Sequence, residues 1–318
     1  MKKYCIVTAS DALYGDFLIN HWYKSLQDNC SLDKIDVVVL DYGLSTDQRY
    51  FLETHNVILK TCEKNGHVVV IRFRDLAEFL TDNPYKQVAL TDGGDIIFQA
   101  DILSVFTTEP NKFRGVPEDL RSGFGMFLTD EFFSSQDKKS LRENLMSGAM
   151  INAGFIVGPG EKMKLMGETV DRMVKVKDKF GPDQLVVNYL FRREGFAPLE
   201  RQFNFVIATA KAKIKIEKGR VFADGKLITV VHNSGNFSFF RPIENFGYGP
   251  EYNLMKIYLL IALKAINLIS NIYLEARTAL INNGRILGEQ LTTSYQISQD
   301  NQEEGWNNFR NFFFKKKE

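Results

Sequence analysis

Val88-Ala89-Leu90-Thr91-Asp92-Gly93-Gly94-Asp95-Ile96-Ile97-Phe98 is the stretch whose reading decides the fold. A short apolar run enters a bend made of two acids and two glycines, and a second apolar run leaves it. Short uninterrupted apolar runs are the pattern of strands buried on both faces, as in parallel sheets. A strand of this kind that stops on Asp and Gly ends where such sheets bind ligands, at their carboxyl edge. Outward from it, Tyr4–Thr8, Ile35–Leu40 and Val68–Phe73 read as further strands of the same type. Helical patterns separate them near Phe17–Leu26, over Thr46–Thr54 with Ser45 or Thr46 as N-cap, and briefly around Asp75–Leu80. This βαβαβ rhythm predicts an α/β protein with helices on both faces of its sheet.

Downstream, the spacing predicts a helix near Lys138–Leu145, a strand over Ile151–Val157, and helices over Lys162–Val176 and Asp183–Phe191. Strand-like pieces at Lys213–Ile216 and Leu227–Val231 run into His232-Asn233-Ser234-Gly235. Beyond Gly249 the character changes. Asn253–Leu280 lacks Gly and Pro and reads as an apolar helix with a narrow polar stripe, and the chain ends on Phe312-Phe313-Phe314-Lys315-Lys316-Lys317-Glu318. The expected division is a body over 1–249 and a C-terminal helical appendage over 250–318.

Composition excludes several classes. The 318 residues are 44% hydrophobic and 25% charged, which is ordinary for globular proteins and argues against disorder. Lys+Arg 40 against Asp+Glu 39 leaves a net charge of +1, so nothing in the whole-chain field favours nucleic acid. Cys5, Cys30 and Cys62 form no Cys-x-x-Cys pair, which speaks against a disulfide framework and a zinc site. The apolar run after Met1-Lys2-Lys3 is too short for a signal peptide, and no run of about 20 apolar residues offers a membrane span. A cytoplasmic location is expected.

The residues that carry chemistry cluster at predicted strand ends. Asp92 and Asp95 present hard oxygen ligands suited to Mg²⁺ or Mn²⁺, and the glycines between them permit close approach of an anion. A plain turn, with each aspartate bonded to its own backbone, is the competing reading. His232 ends a strand and offers an imidazole nitrogen to a metal or to a structural hydrogen bond. Asp183 and Gln184 open a helix, where an acid is stabilised by the dipole in any case. Asn152 puts a polar side chain inside an apolar strand, and Gly154 beside it marks a close approach of backbone or ligand. Thr8-Ala9-Ser10-Asp11 follows the first strand, with Tyr14 after it; it is not the dinucleotide fingerprint, but it can hold a base or ribose.

In this order the motifs resemble the GT-A glycosyltransferases of family eight, which include bacterial lipopolysaccharide galactosyl- and glucosyltransferases and glycogenin. The similarity runs from about Tyr4 to Pro242. It implies a Rossmann-like nucleotide-diphospho-sugar transferase fold, a mixed sheet flanked by helices. It implies transfer of a hexose from a UDP-sugar to a glycan or lipid-linked acceptor, with retention and with Mn²⁺ (or Mg²⁺) as cofactor. By the same resemblance, Ala9, Asp11 and Tyr14 hold the nucleoside, and Arg74 (or Arg72) contacts the donor. Asn152 and Gly154 line the sugar pocket, Asp183 and Gln184 flank the anomeric carbon, and Asp92, Asp95 and His232 bind the metal. Gly235 and Arg241 belong to the diphosphate loop. Two departures stand out: the acids are three apart where the family's D-x-D has two, and the family's H-x-x-G-x-x-K-P-W continues here as Asn236 to Arg241-Pro242. Either Asp92 reaches the metal through a longer turn, or Asp95 and His232 hold it with water.

Two alternatives are carried: a non-catalytic sugar-nucleotide-binding or scaffold protein, and a sugar nucleotidyltransferase. The latter needs a Gly-rich basic loop after the first strand, and Thr8–Asp16 has none. The C-terminal helix and tail read either as packing elements or as a peripheral attachment to the cytoplasmic face of a membrane, with aromatics in the interface and lysines on anionic lipid.

Overall fold

A computed structural model describes residues 2–119, 127–145, 149–235, 241–266, 268–269 and 272. The first apolar run is β1 (Tyr4–Ser10), followed by α1 (Ala12–Phe17), a π-helical stretch over Leu18–Tyr23, and α2 (Lys24–Asn29). Next come β2 (Ile35–Asp41), α3 (Thr46–Thr54), β3 (Ile58–Thr61) and α4 (Val68–Asp82). The stretch that opened the sequence reading becomes β4 (Gln87–Thr91) and β5 (Ile96–Phe98). Then follow β6 (Phe113–Pro117), α5 (Ser135–Leu145), β7 (Ile151–Pro159), α6 (Gly160–Met173) and α7 (Asp183–Arg193). The last third holds short strands. They are β8 (Phe196–Pro198), β9 (Phe205–Val206), β10 (Ile214–Glu217), β11 (Arg220–Ala223), β12 (Lys226–Leu227), β13 (Val230–His232), β14 (Ile243–Glu244) and β15 (Leu254–Met255).

The main sheet has the order β3-β2-β1-β4-β7-β6-β8. Its first four strands are parallel, and β7 runs antiparallel to both β4 and β6, so the sheet is mixed as expected. Both faces are covered. On β1, Cys5 and Val7 face the core formed with α4, α6 and α7, while Tyr4 and Ile6 face Trp22 and Leu26 on the other side. That two-sided burial is why the strands read as continuous apolar runs. A second small sheet, β5-β13-β9, lies past the carboxyl end of β4. It delivers the last third of the chain to the ligand edge.

One element differs from its sequence reading. Val68–Phe73 is not a strand but the first half of α4, and the third strand is Ile58–Thr61. A run of four to eight apolar residues does not distinguish a buried strand from a buried helix by period alone. Packing decides for the helix. α4 lies against α6, and Gly167 of α6 lets the Phe73 carbonyl approach so closely that an added Cβ would fall 2.3 Å from it.

The hairpin of β14 and β15 straddles the expected boundary at 249, and Asn253 is buried, donating to the carbonyl of Gly219 at 2.6 Å. A helix then runs over 257–266. The rest of the expected helix to Leu280, and the Phe312–Lys317 tail, lie outside the described residues. Among the described residues, no helix is long and apolar enough to cross a membrane.

Candidate active site

The parallel strands reverse their order between β1 and β4, and a crevice of this kind opens at the strand ends. A cavity of about 540 Å³ occupies it. From the end of β1, Ala9, Asp11 and Tyr14 line it; from the bend after β4, Asp92 to Asp95; from β7, Asn152 and Gly154; from the start of α7, Asp183 and Gln184. Gly235 and Arg241 close the list of expected residues on its wall. Gly93 lets the bend close against β1, since a Cβ there would sit 2.6 Å from the Thr8 hydroxyl and 2.9 Å from the Ala9 carbonyl, and a Cβ on Gly94 would sit 2.8 Å from the Tyr14 ring.

His232 arrives from β13, whose pairing with β5 places it opposite Ile96. It is fully buried behind the cavity wall, and its Nε2 lies 3.5 Å from Asp92 Oδ2 and 3.4 Å from Asp95 Oδ1. Ligand atoms of these three residues fall within 4.8 Å of one another. Asp95 Oδ1 and His232 Nε2 are both buried with no hydrogen-bond partner. Two carboxylates and an imidazole that converge on one point, with an unpartnered carboxylate oxygen and an unpartnered ring nitrogen facing it, fit a divalent cation. The longer acidic turn therefore still brings Asp92 to the cluster.

Cations of the protein itself surround the acids. Arg72 donates through Nη1 to Asp92 Oδ1, and Arg241 lies 3.3 Å from Asp95 Oδ2. Burial works to raise Asp92, but Arg72 and His232 outweigh it and hold that carboxyl well below the usual range. Burial likewise disfavours the His232 imidazolium, yet Asp95 and Asp92 lift it to about 9. Burial, with Asp92 nearby, pushes the Asp183 carboxyl up to about 7 against the pull of Arg72.

Arg74 requires a correction. It does not line the cavity; it pairs with Asp75 at 2.9 Å and bonds Asn65 at 2.8 Å. Two residues apart on a strand share a face, but on a helix they point in widely different directions. Because the segment is helical, Arg72 faces the acids and Arg74 does not.

Gln184 lines the cavity with its carboxamide already engaged. Its Oε1 accepts from Ala153 N at 2.9 Å and its Nε2 donates to Ile151 O. Asn188, one turn on, bonds the same stretch of β7 through Ile151 N at 2.7 Å. β4 pairs with β7 only from Phe155 onward, so these amides take the place of a neighbouring strand.

No protein-family model matches the chain, and no curated protein matches it in sequence. Solved structures do. The galactosyltransferase LgtC, in complex with donor and acceptor sugar analogs, aligns with 83% of this chain and 96% of its own at 16% identity, with a TM-score of 0.51. The apo bifunctional glycosyltransferase WbbM aligns with 87% of this chain and 52% of its own at 14% identity, with a TM-score of 0.50. The fold is that of a GT-A glycosyltransferase.

Within this GT-A fold, sequence reasoning missed two polar residues around the site, while of the two arginines it offered Arg72 is the one that reaches the acids. Asn204, one residue before β9, bonds His232 Nδ1 at 3.0 Å, and buried Glu118 accepts from Asn152 at 3.1 Å. Neither sits in a motif. Only the three-dimensional pairing of β9 with β13 brings Asn204 to the imidazole.

Proposed function

We propose that this chain is a hexosyltransferase that moves a sugar from a nucleoside diphosphate, uridine diphosphate first among them, to a hydroxyl of a cell-envelope glycan or lipid-linked acceptor. The observation that carries the proposal is the convergence of Asp92, Asp95 and His232 on one point at the switch-point crevice of this fold. These residues would hold Mn²⁺ or Mg²⁺. A cation there supplies Lewis acidity against the negative charge that grows on the departing diphosphate.

The chain's own groups account for the rest. Ala9, Asp11 and Tyr14 form the nucleoside end of the cavity. Asp11 is held there because its Oδ1 caps α1, accepting from Leu13 and Tyr14 N–H, while Oδ2 pairs with Lys64 at 2.7 Å. Arg72 and Arg241 place fixed positive charge beside the acids, preorganised for phosphate oxygens. Asp183 and Gln184 line the same cavity from the start of α7, where the sugar would lie. We assign them to orienting the sugar and stabilising positive charge at its anomeric carbon. Retention of anomeric configuration belongs to the same reading, as does attachment of the region from residue 250 onward to a membrane surface.

A panel of UDP-sugars with Mn²⁺, read by release of UDP, tests the proposal. Metal-dependent hydrolysis of at least one donor is expected, and Asp95→Asn should lower it about 10²-fold or more while the far-UV circular dichroism is unchanged. Donor binding without hydrolysis or transfer for every sugar would favour the non-catalytic alternative.

A further inference from the structure

We propose that Asn204 is a positioning residue for the metal site, and that a directional hydrogen-bond relay through Asn204 and Asn152 fixes which nitrogen of His232 faces the carboxylates. The proposal rests on the reading above in one respect only, that His232 Nε2 is meant for a cation. The relay itself stands on protein atoms.

Its polarity follows from two backbone groups. The N–H of Gly154 can only donate, and it points at Asn152 Oδ1 at 2.9 Å. That atom is therefore the carbonyl oxygen, and the amide nitrogen of Asn152 donates to Glu118 Oε1 at 3.1 Å. The carbonyl of Asn152 can only accept, and Asn204 presents its Nδ2 to it at 3.4 Å and to Asn152 Oδ1 at 3.1 Å. Asn204 is thus oriented with Oδ1 on its other side, 3.0 Å from His232 Nδ1. A carbonyl oxygen there requires a proton on Nδ1, which leaves Nε2 to point at Asp92 and Asp95. No free rotor breaks the chain. Asn204, Asn152, Glu118 and His232 are all buried, at 1%, 6%, 7% and 1% exposure, so water does not compete for these bonds.

The arrangement matches a general need of metal sites. A ligating imidazole holds its orientation and tautomer through the hydrogen bond its other nitrogen makes, and losing that partner typically weakens metal binding 10- to 100-fold. Here the partner is a neutral amide tied to β7. The same strand therefore supplies the cavity wall and the register of the histidine.

The test uses the full chain and two readouts. With selective ¹⁵N-histidine labelling, the four histidines are few enough to assign by substitution. With the imidazole neutral, wild-type His232 is expected to carry its proton on Nδ1; a proton on Nε2 would overturn the relay outright. Mn²⁺ titration, followed by the paramagnetic resonance of the free ion, gives the second readout. Asn204→Leu is expected to weaken Mn²⁺ binding about 10- to 100-fold, and Asn204→Asp, which keeps an oxygen facing Nδ1 but gives up the amide donor to Asn152, to weaken it clearly less. Equal weakening in both variants, or none in Asn204→Leu, would overturn the positioning role. If Asn204→Leu does not fold, the wild-type tautomer and Asn204→Asp still decide. Failure of the wild type to bind Mn²⁺ while Nδ1 carries the proton would remove the metal reading and leave the relay standing.

Discussion

At Gly154 the backbone of β7 passes so close to the Asp92–Asp95–His232 cluster that a single methyl group would fill the remaining space. A Cβ there would lie 2.3 Å from His232 Cε1 and 2.8 Å from Asp92 Oδ2. Gly154→Ala is therefore expected to displace the imidazole, to lower Mn²⁺ affinity at least tenfold by titration, and to cost about 1–3 kcal/mol in a denaturant melt. The arginines give a sharper contrast. Arg72→Met removes the counter-charge of Asp92, and turnover should fall about 10²-fold. Arg74→Ala loses its bonds to Asp75 and Asn65, about 1 kcal/mol of stability, and turnover should stay near wild type. Steady-state kinetics beside thermal melts would separate the two effects; the reverse pattern would restore Arg74 to the site. Gln184→Ala leaves Ala153 N–H without its acceptor. Both lower stability, by about 1–3 kcal/mol, and slower turnover are expected, with donor affinity measured by calorimetry largely kept.

At the scale of elements, most strands that position the site were legible because burial on both faces leaves a plain apolar signature. β1, β2, β4 and β7 lie where their runs suggested, and so do the acidic bend and His232. α4 was misread because Val68-Val69-Val70-Ile71 carries β-branched residues whose local preference points to a strand. The helical signal was nonetheless present further on. Arg74, Glu78, Thr81 and Asp82 form one polar stripe at helical spacing, and the last three are exposed. Asn204 had no such signal, since its role arises from a strand pairing between residues distant in the chain. The C-terminal helix poses the opposite case. Leu260 packs on the small-sheet core, but Ile257, Tyr258, Ile261 and Ile269 are more than half exposed. An apolar face of this extent calls for a partner surface. In line with the attachment proposed above, the full chain should co-sediment with anionic vesicles, and Ile261→Glu should reduce the bound fraction. Equal sedimentation of the variant would remove this helix from the contact.

At the scale of the whole molecule, the cavity couples the two halves of the sheet to the last third of the chain, so ligand should stabilise the entire fold. Mn²⁺ with UDP at about 100 times its dissociation constant adds roughly 2.7 kcal/mol by mass action. A thermal melt should show that gain for the wild type, its loss on addition of a chelator, and little of it for Asp95→Asn. An equal gain in Asp95→Asn would place the ligand elsewhere.

The Asp92–Asp95–His232 cluster takes both acids from the bend after β4 and its imidazole from β13, far later in the chain. During synthesis the acids leave the ribosome long before the histidine. Contacts so distant along the chain close late, because the intervening loop must first be ordered. In the folded chain Arg72, only a short stretch before Asp92, is that acid's counter-ion. On the metal reading proposed above, competence to bind the cation is expected only once the last third of the chain has docked.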